Sequence, residues 1–180
     1  LCLTFASPCL VVAASPDTFE GVERIVAIGD VHSDYERLVD LLRTAKVIDE
    51  TNAWSGGKTH LVLDGDFLDR GPDTIRVLDL LMALEPQAER AGGMLHPLLG
   101  NHEAMNVYGD LRYVSKEDFR QYRAMAPALE DLKKSEGVLE DPPFITALNL
   151  PRRAGWDQQR LLFGPAGKYG RWLREQNAIV

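Results

Sequence analysis

The chain contains three short, mainly apolar runs, and each leads into a glycine followed by side chains that bind metal ions. The apolar runs cover residues 24–28, 61–63 and 94–99. The polar sequences that follow them are GDVH at 29–32, GDFLDRG at 65–71 and GNHE at 100–103. Short apolar runs bounded by turn residues are typical of buried strands. The chain therefore repeats one arrangement, in which a buried strand carries metal-ligand side chains into the loop at its end.

Two segments with helical spacing separate the three predicted strands. Residues 33–36 have the spacing of a capping box, and the apolar residues behind them are Leu38, Leu41, Leu42 and Ala45. Pro72 takes the place of a first-turn proline, and the apolar residues behind it are Ile75, Leu78, Leu81 and Met82. This alternation predicts an α/β fold, with a largely parallel sheet flanked by helices and a site at the carboxyl ends of the strands.

The second half of the chain is predicted to be mainly helical. Residues 115–134 predict one helix that is bent or broken near Pro127. Residues 137–155 are rich in loop-forming types, and residues 156–177 have a helical pattern with interruptions at 164–165 and at Gly170. With 180 residues and no internal repeat, the chain has room for one domain with one core.

Four residues in the three loops are candidate metal ligands. Asp30 and His32 are two residues apart, so that in extended backbone they point the same way and can bind one ion together. Asp66 can place its two carboxylate oxygens on two ions, and Asn101 can supply a neutral oxygen to the second ion. Carboxylate, imidazole and amide ligands suit Mn, Fe or Zn, so we expect two such ions. A glycine before each ligand lets the backbone turn sharply.

Two neighbouring ions clamp a phosphoryl group and turn a bridging water into a hydroxide, which attacks phosphorus in line. The leaving oxygen then needs a proton, for which His102 is the candidate, with Asp69 to orient its ring. Arg70 has a planar fork that can bind two phosphate oxygens. Asn101 and Arg112 are further candidates for contact with substrate; the alternative for Arg112 is a surface residue beside a helix. The loops therefore indicate hydrolysis of phosphate monoesters.

The three motifs resemble the GDxH, GDxxDRG and GNHE signatures of the phosphoprotein phosphatase branch of the calcineurin-like metallophosphoesterases. Leu99 and the segment AMNVYGDLRYV at 104–114 are similar to the Shewanella-like protein phosphatases. The resemblance covers residues 25–114. It implies that the chain is the N-terminal half of an αββα sandwich. The resemblance implies that Asp30, His32 and Asp66 bind the first ion, and that Asp66 and Asn101 bind the second. It also implies that His102 is the proton donor, that Asp69 is its partner and that Arg70 binds phosphate.

The chain departs from the family in its histidines. The resemblance implies two later histidines on the second metal, one of them in an HGG-like motif. The four histidines here are His32, His60, His96 and His102, so none follows position 102. We expect His60 and His96 to be structural. We also expect a leader at 1–23 and a metallophosphatase domain at 24–180 that is incomplete at its C-terminal end, leaving an apolar sheet face exposed.

Charge and the N-terminal residues bear on partners and compartment. The formal net charge of −7 argues against a broad nucleic-acid-binding face. Both cysteines lie in the first ten residues, which excludes a cysteine-based zinc site in the rest of the chain. Residues 1–14 are almost wholly apolar but too short to span a bilayer. They resemble the tail of a signal peptide, which would imply export; otherwise the protein is cytoplasmic.

Three functions are compatible with these observations. The first is a protein phosphatase acting on phosphotyrosine or phosphoserine/threonine, or on a small phosphate ester, and the Shewanella-like resemblance favours phosphotyrosine. The second is a diadenosine tetraphosphate hydrolase, because bacterial members of that group share the three motifs. The third is an inactive metal-binding or interaction module, which the missing histidines would explain.

Overall fold

A computed structural model of the protein describes residues 16–137 and 140–179, so the expected signal-peptide tail at 1–14 lies outside the described residues. Three strands, β1 (Ile25–Ile28), β2 (His60–Leu63) and β3 (Met94–Pro97), form a parallel sheet in the order β1-β2-β3. The three predicted strands and their parallel pairing are confirmed. Because both pairings are parallel, all three C-terminal ends lie along one edge.

One face of the sheet packs against helices and the other is open. Helix α1 (Tyr35–Thr44) follows β1, and helix α2 (Thr74–Arg90) follows β2. Leu61 and Leu63 of β2 are fully buried together with Leu38 and Leu42 of α1. On the open face Ile25 is 64% exposed. The sheet therefore buries only one of its two faces within the described residues.

The starts of both helices differ from the predicted ones. Asp34, not Ser33, caps α1, because its side chain accepts the N–H of Arg37 at 3.0 Å. The Ser33 hydroxyl is instead buried against the Thr74 hydroxyl at 2.7 Å. Helix α2 begins at Thr74, so Pro72 precedes the helix rather than lying in its first turn.

The remaining helices cover the second half of the chain. Their bounds are α3 (Asn101–Tyr108), α4 (Lys116–Ala124), a 3-10 turn (Ala126–Leu129), α5 (Glu130–Glu136), α6 (Pro143–Thr146), α7 (Trp156–Phe163) and α8 (Lys168–Arg174). The break near Pro127 and the break after Phe163 are confirmed.

The predicted interruption at Gly170 is wrong: Gly170 lies inside α8, where an added Cβ would strike the carbonyl oxygens of Phe163 and Gly164. That glycine allows α8 to pack closely on the end of α7. None of the helices in the described ranges combines the length and apolar character needed to cross a membrane.

Candidate active site

The three motif loops meet at the carboxyl edge of the sheet. The main-chain N–H of His32 donates to the carbonyl oxygen of Asp66 at 3.0 Å, which joins the first loop to the second. Gly65, with φ +81°, joins the second loop to the third, because an added Cβ would lie 2.7 Å from the main chain of Gly100. Gly29 has no atom within 4 Å of an added Cβ and no positive φ. The expected sharp turn at glycine is therefore found only at the second loop. At the third loop Gly100 is extended, and glycine is needed there because an added Cβ would strike Asp66.

Glu103 holds the second and third loops together, a role that the sequence analysis did not assign to it. Its buried carboxylate accepts main-chain N–H groups from Asp66 at 2.8 Å, Leu68 at 3.0 Å and Gly100 at 2.9 Å. Burial raises the pKa of Glu103 to about 7, while these three bonds act in the opposite direction. The available sequence signal was its position three residues after Gly100, the spacing of a capping box.

His32 carries a nitrogen suited to a metal ion. Its Nδ1 lies 3.1 Å from the carbonyl oxygen of Leu68, to which it can only donate, so that Nε2 keeps a lone pair. That Nε2 is buried, lies 3.5 Å from Asp30 Oδ2 and makes no hydrogen bond. His32, Asp66 and His102 each offer a ligand atom within 4.8 Å of the other two. A buried imidazole lone pair beside carboxylates fits a divalent cation; the structure adds His102 to the expected group.

The backbone at the site takes a form that the sequence analysis did not predict. Asp30 and His32 approach each other through a turn with His32 at φ +49°, not through extended backbone, so that part of the reasoning is wrong. Eight non-glycine residues in the described ranges have positive φ, and five belong to or adjoin the first two motifs: His32, Ser33, Asp66, Asp69 and Arg70. Such conformations concentrate where tertiary contacts hold functional loops.

His102 and Asp69 form the expected pair. His102 Nδ1 lies 2.8 Å from Asp69 Oδ2, and both side chains are buried. Because an ionised carboxylate only accepts hydrogen bonds, Nδ1–H is the donor and Nε2 faces Arg70, whose Nη2 is 3.3 Å away. Burial raises the pKa of Asp69, and the hydrogen bonds from Asn106 and His102 oppose that rise. The Tyr113 ring packs beside His102 with ring centres 5.1 Å apart.

Two candidate substrate residues lie at the rim of the site. Arg112 is partly exposed and binds Asp110 through two bonds, Nε–Oδ1 at 2.9 Å and Nη2–Oδ2 at 2.6 Å. Its guanidinium carbon lies 6.0 Å from the centre of the Tyr113 ring, which places it next to the ring that contacts the His102 imidazole. Asn101 is exposed at the start of α3, with its Nδ2 at 3.9 Å from Met105 Sδ. Their roles stay predictions.

His60 and His96 lie away from the loops, on the open face of the sheet. His60 Nδ1 and His96 Nε2 are 3.0 Å apart, and the edge of Phe19 contacts both rings. Burial and the neighbouring His60 lower the pKa of His96 to about 4. This pairing agrees with the expected structural role of both histidines.

Carboxylates, imidazoles and an arginine gathered at the carboxyl ends of parallel strands are typical of metal-dependent phosphoesterases. Comparison with known proteins gives the family. The pattern of the family described as calcineurin-like phosphoesterase matches residues 23–176. The chain therefore belongs to the calcineurin-like phosphoesterases, which are hydrolases of phosphate esters.

Three relatives make the resemblance to Shewanella-like phosphatases specific. Shewanella-like protein phosphatase 2 of Arabidopsis thaliana is 44% identical over 108 residues, covering 60% of this chain and 28% of the relative. Shewanella-like protein phosphatase 1 of Plasmodium berghei is 34% identical over 99 residues, covering 55% and 27%. The crystal structure of a cold-active protein-tyrosine phosphatase from a psychrophilic Shewanella species matches with a TM-score of 0.66 and 35% identity, over 91% of this chain and 40% of that one. The matched segment thus spans less than a third of the Arabidopsis and Plasmodium relatives and 40% of the Shewanella phosphatase.

Proposed function

We propose that this protein is a metal-dependent phosphomonoesterase whose substrates are phosphorylated proteins, with phosphotyrosine preferred over phosphoserine or phosphothreonine. The observation that carries the proposal is the buried, unbonded Nε2 of His32, which lies beside Asp30 and in one ligand group with Asp66. The preference for phosphotyrosine is supported by the similarity to the Shewanella protein-tyrosine phosphatase.

The residues in the loops would hold two divalent ions. Asp30, His32 and Asp66 would bind the first, and Asp66 and Asn101 the second, as the family motifs imply. Such ions neutralise phosphate charge and make water a better nucleophile near neutral pH. A buried imidazole lone pair and oxygen ligands are suited to Mn, Fe or Zn.

The chain's own residues orient the substrate and move a proton. Arg70 is exposed, and its guanidinium can turn from His102 Nε2 to donate two hydrogen bonds to phosphate oxygens. That movement frees the lone pair of His102 Nε2, which can then take up a proton from solvent. The resulting imidazolium gives that proton to the leaving oxygen and returns to the neutral ring. Asp69 holds Nδ1–H, so that Nε2 is the ring nitrogen that exchanges protons with the substrate.

The first experiment compares Asp66→Asn with Asp64→Asn, because the two changes remove the same charge at positions two residues apart. Asp64 is exposed and lines the open face of the sheet. Manganese content and hydrolysis of p-nitrophenyl phosphate, a phosphotyrosine peptide and a phosphoserine peptide are measured with and without chelator.

We expect Asp66→Asn to lose bound manganese and at least ~100-fold in turnover, and Asp64→Asn to keep both. Equal manganese content in the two variants would contradict the bridging role of Asp66. Manganese binding with no hydrolysis of any of the three substrates would favour an inactive metal-binding module instead.

A further inference from the structure

A buried chain of amide side chains connects Asp69 to helix α7. Asn106, on α3, donates from Nδ2 to Asp69 Oδ1 at 2.9 Å. Gln159, on α7, donates from Nε2 to Asn106 Oδ1 at 3.0 Å and to the Asn106 carbonyl oxygen at 3.2 Å. Asn106 and Gln159 are both fully buried. The second half of the chain therefore reaches the histidine–aspartate pair through two side chains.

The direction of each hydrogen bond follows from the carboxylate. Ionised Asp69 can only accept, so Asn106 must turn its NH2 group towards it. The Asn106 oxygen then faces α7, and only a donor can satisfy it there, which Gln159 supplies. A flipped Asn106 would place its oxygen against the carboxylate and its NH2 against the NH2 of Gln159. The bond from Gln159 therefore selects the Asn106 orientation that Asp69 requires.

The amide oxygen of Gln159 differs from its amide nitrogen in its surroundings. Its Oε1 is buried and, within the described residues, has no hydrogen-bond partner. Leaving a buried carbonyl unpaired costs stability. An apolar side chain at this position would avoid that cost, so the two bonds from Nε2 to Asn106 are the reason for a glutamine here.

We propose that Asn106 and Gln159 are positioning residues that fix the Asp69 carboxylate and, through it, the orientation of the His102 ring; this inference rests on the proposed function. One Asp69 oxygen binds His102 and the other binds Asn106, so the carboxylate is held at two points and cannot rotate. Asn106 Nδ2 also binds the His102 carbonyl oxygen at 3.0 Å, which ties the amide to the same turn of α3.

The test uses Gln159→Met, which keeps the size of the side chain and removes the donor, and Gln158→Met as the control. Gln158 is half-buried on the same helix.

The His102 Nδ1 proton is observed by 15N NMR in the full, metal-free chain at a fixed neutral pH and is identified by its loss in His102→Gln. We expect a sharp low-field signal in the wild type and in Gln158→Met. In Gln159→Met the signal should broaden or disappear, because a loosened carboxylate exposes the proton to exchange. An unchanged signal in a folded Gln159→Met chain would overturn the proposal.

A second measurement needs no variant, should Gln159→Met fail to fold. The side-chain amide protons of Asn106 and Gln159 in the wild-type chain should be protected from exchange with deuterated water, and rapid exchange of either pair would overturn the network. Both readouts are independent of hydrolysis, so the network and the proposed function can fail separately.

A third measurement applies if the chain is active. With manganese, Gln159→Met should lose ~10-fold or more in turnover of phenyl phosphate but less than about 2-fold with 2,4-dinitrophenyl phosphate, since only the poorer leaving group needs the proton from His102. Equal losses with both substrates would argue for a structural role alone.

Discussion

At the scale of single residues, Glu103 joins two of the loops at the site. One carboxylate accepts three main-chain N–H groups, from Asp66, Leu68 and Gly100. Those N–H groups belong to loops that begin at two different strands, so their hydrogen bonds fix the distance between the loops. The placement of the proposed ligands Asp66 and Asn101 therefore depends on a residue that need not touch an ion.

Replacing Glu103 by Gln should lower the free energy of unfolding by about 2–3 kcal/mol, because one oxygen that accepts an N–H becomes an NH2 group facing it. Urea unfolding of the metal-free chain measures the change. The control is Glu117→Gln, an exposed residue paired with Arg120 at 2.8 Å, for which we expect less than ~0.5 kcal/mol. Similar losses in both variants would mean that the buried hydrogen bonds of Glu103 contribute no more to stability than an exposed ion pair does.

The site residues that could be predicted from the sequence are those that belong to the three motifs. The Asp69–His102 pair followed from two motifs and their side-chain types, and the structure has it at 2.8 Å. Asn106 and Gln159 could not be found in this way, because 53 residues separate them and only packing of α7 on α3 brings them together. The left-handed backbone at His32 was missed for a similar reason, since contacts with another loop hold it.

At the scale of elements, the strands were predictable and the starts of helices were not. A short apolar run bounded by turn residues favours a strand, whereas several polar residues in a row can each cap a helix. Ser33 did not cap α1 because its hydroxyl is used elsewhere, in a buried group with Thr74 and Asp118. That group ties the start of α2 to α4 and to the residue after His32.

The Asp118 carboxyl should make stability depend on pH. It accepts the Thr74 N–H at 3.1 Å and the Thr74 hydroxyl at 2.9 Å, yet burial raises its pKa to about 6 from 3.8. Because the folded chain holds this proton more tightly than the unfolded chain, its contribution is full below pH ~4 and is lost as the pH rises through ~6.

Urea unfolding at several pH values between 4 and 7 should therefore show a decrease in the free energy of unfolding that is smaller in Asp118→Asn than in the wild type by up to ~3 kcal/mol. Glu103, whose pKa burial raises to about 7, contributes to the decrease in both chains. Asp131→Asn, at a fully exposed side chain, is the control and should keep the wild-type slope. A wild-type slope in Asp118→Asn would show that other groups cause the decrease.

At the scale of the whole molecule, the described residues form one sheet covered by helices on a single face. The α/β class, the parallel sheet and the exposed opposite face were all predicted from the alternation of elements and from the family resemblance. The packing of the helices in the second half could not be predicted. These helices lack motifs and are arranged around buried aromatic residues such as Tyr122, Phe163 and Tyr169. The division into a leader at 1–23 and a domain at 24–180 stays a prediction.

Divalent ions should stabilise the whole chain, since the proposed ligands come from loops after three different strands. At about 100 times its dissociation constant, manganese adds ~2.7 kcal/mol to the free energy of unfolding. For a chain of this size that corresponds to a rise in Tm of roughly 5–10 °C. Calorimetry with manganese and with chelator measures it.

The matched variants are His32→Gln, at the site, and His60→Gln, on the open face. We expect His32→Gln to lose most of the manganese-dependent rise and His60→Gln to retain it. A full rise in His32→Gln would place the ion elsewhere, and its loss in His60→Gln would show that the open face takes part in binding.

The order of the strands also has a consequence for synthesis of the chain. Because β1, β2 and β3 lie side by side in the order in which the ribosome makes them, each new strand meets a partner that has already been made. The sheet can grow from one edge without waiting for a distant segment. The proposed ligands accumulate in the same direction, first Asp30 and His32, then Asp66, then Asn101. A nascent chain therefore cannot complete the proposed metal site until its third motif has left the exit tunnel.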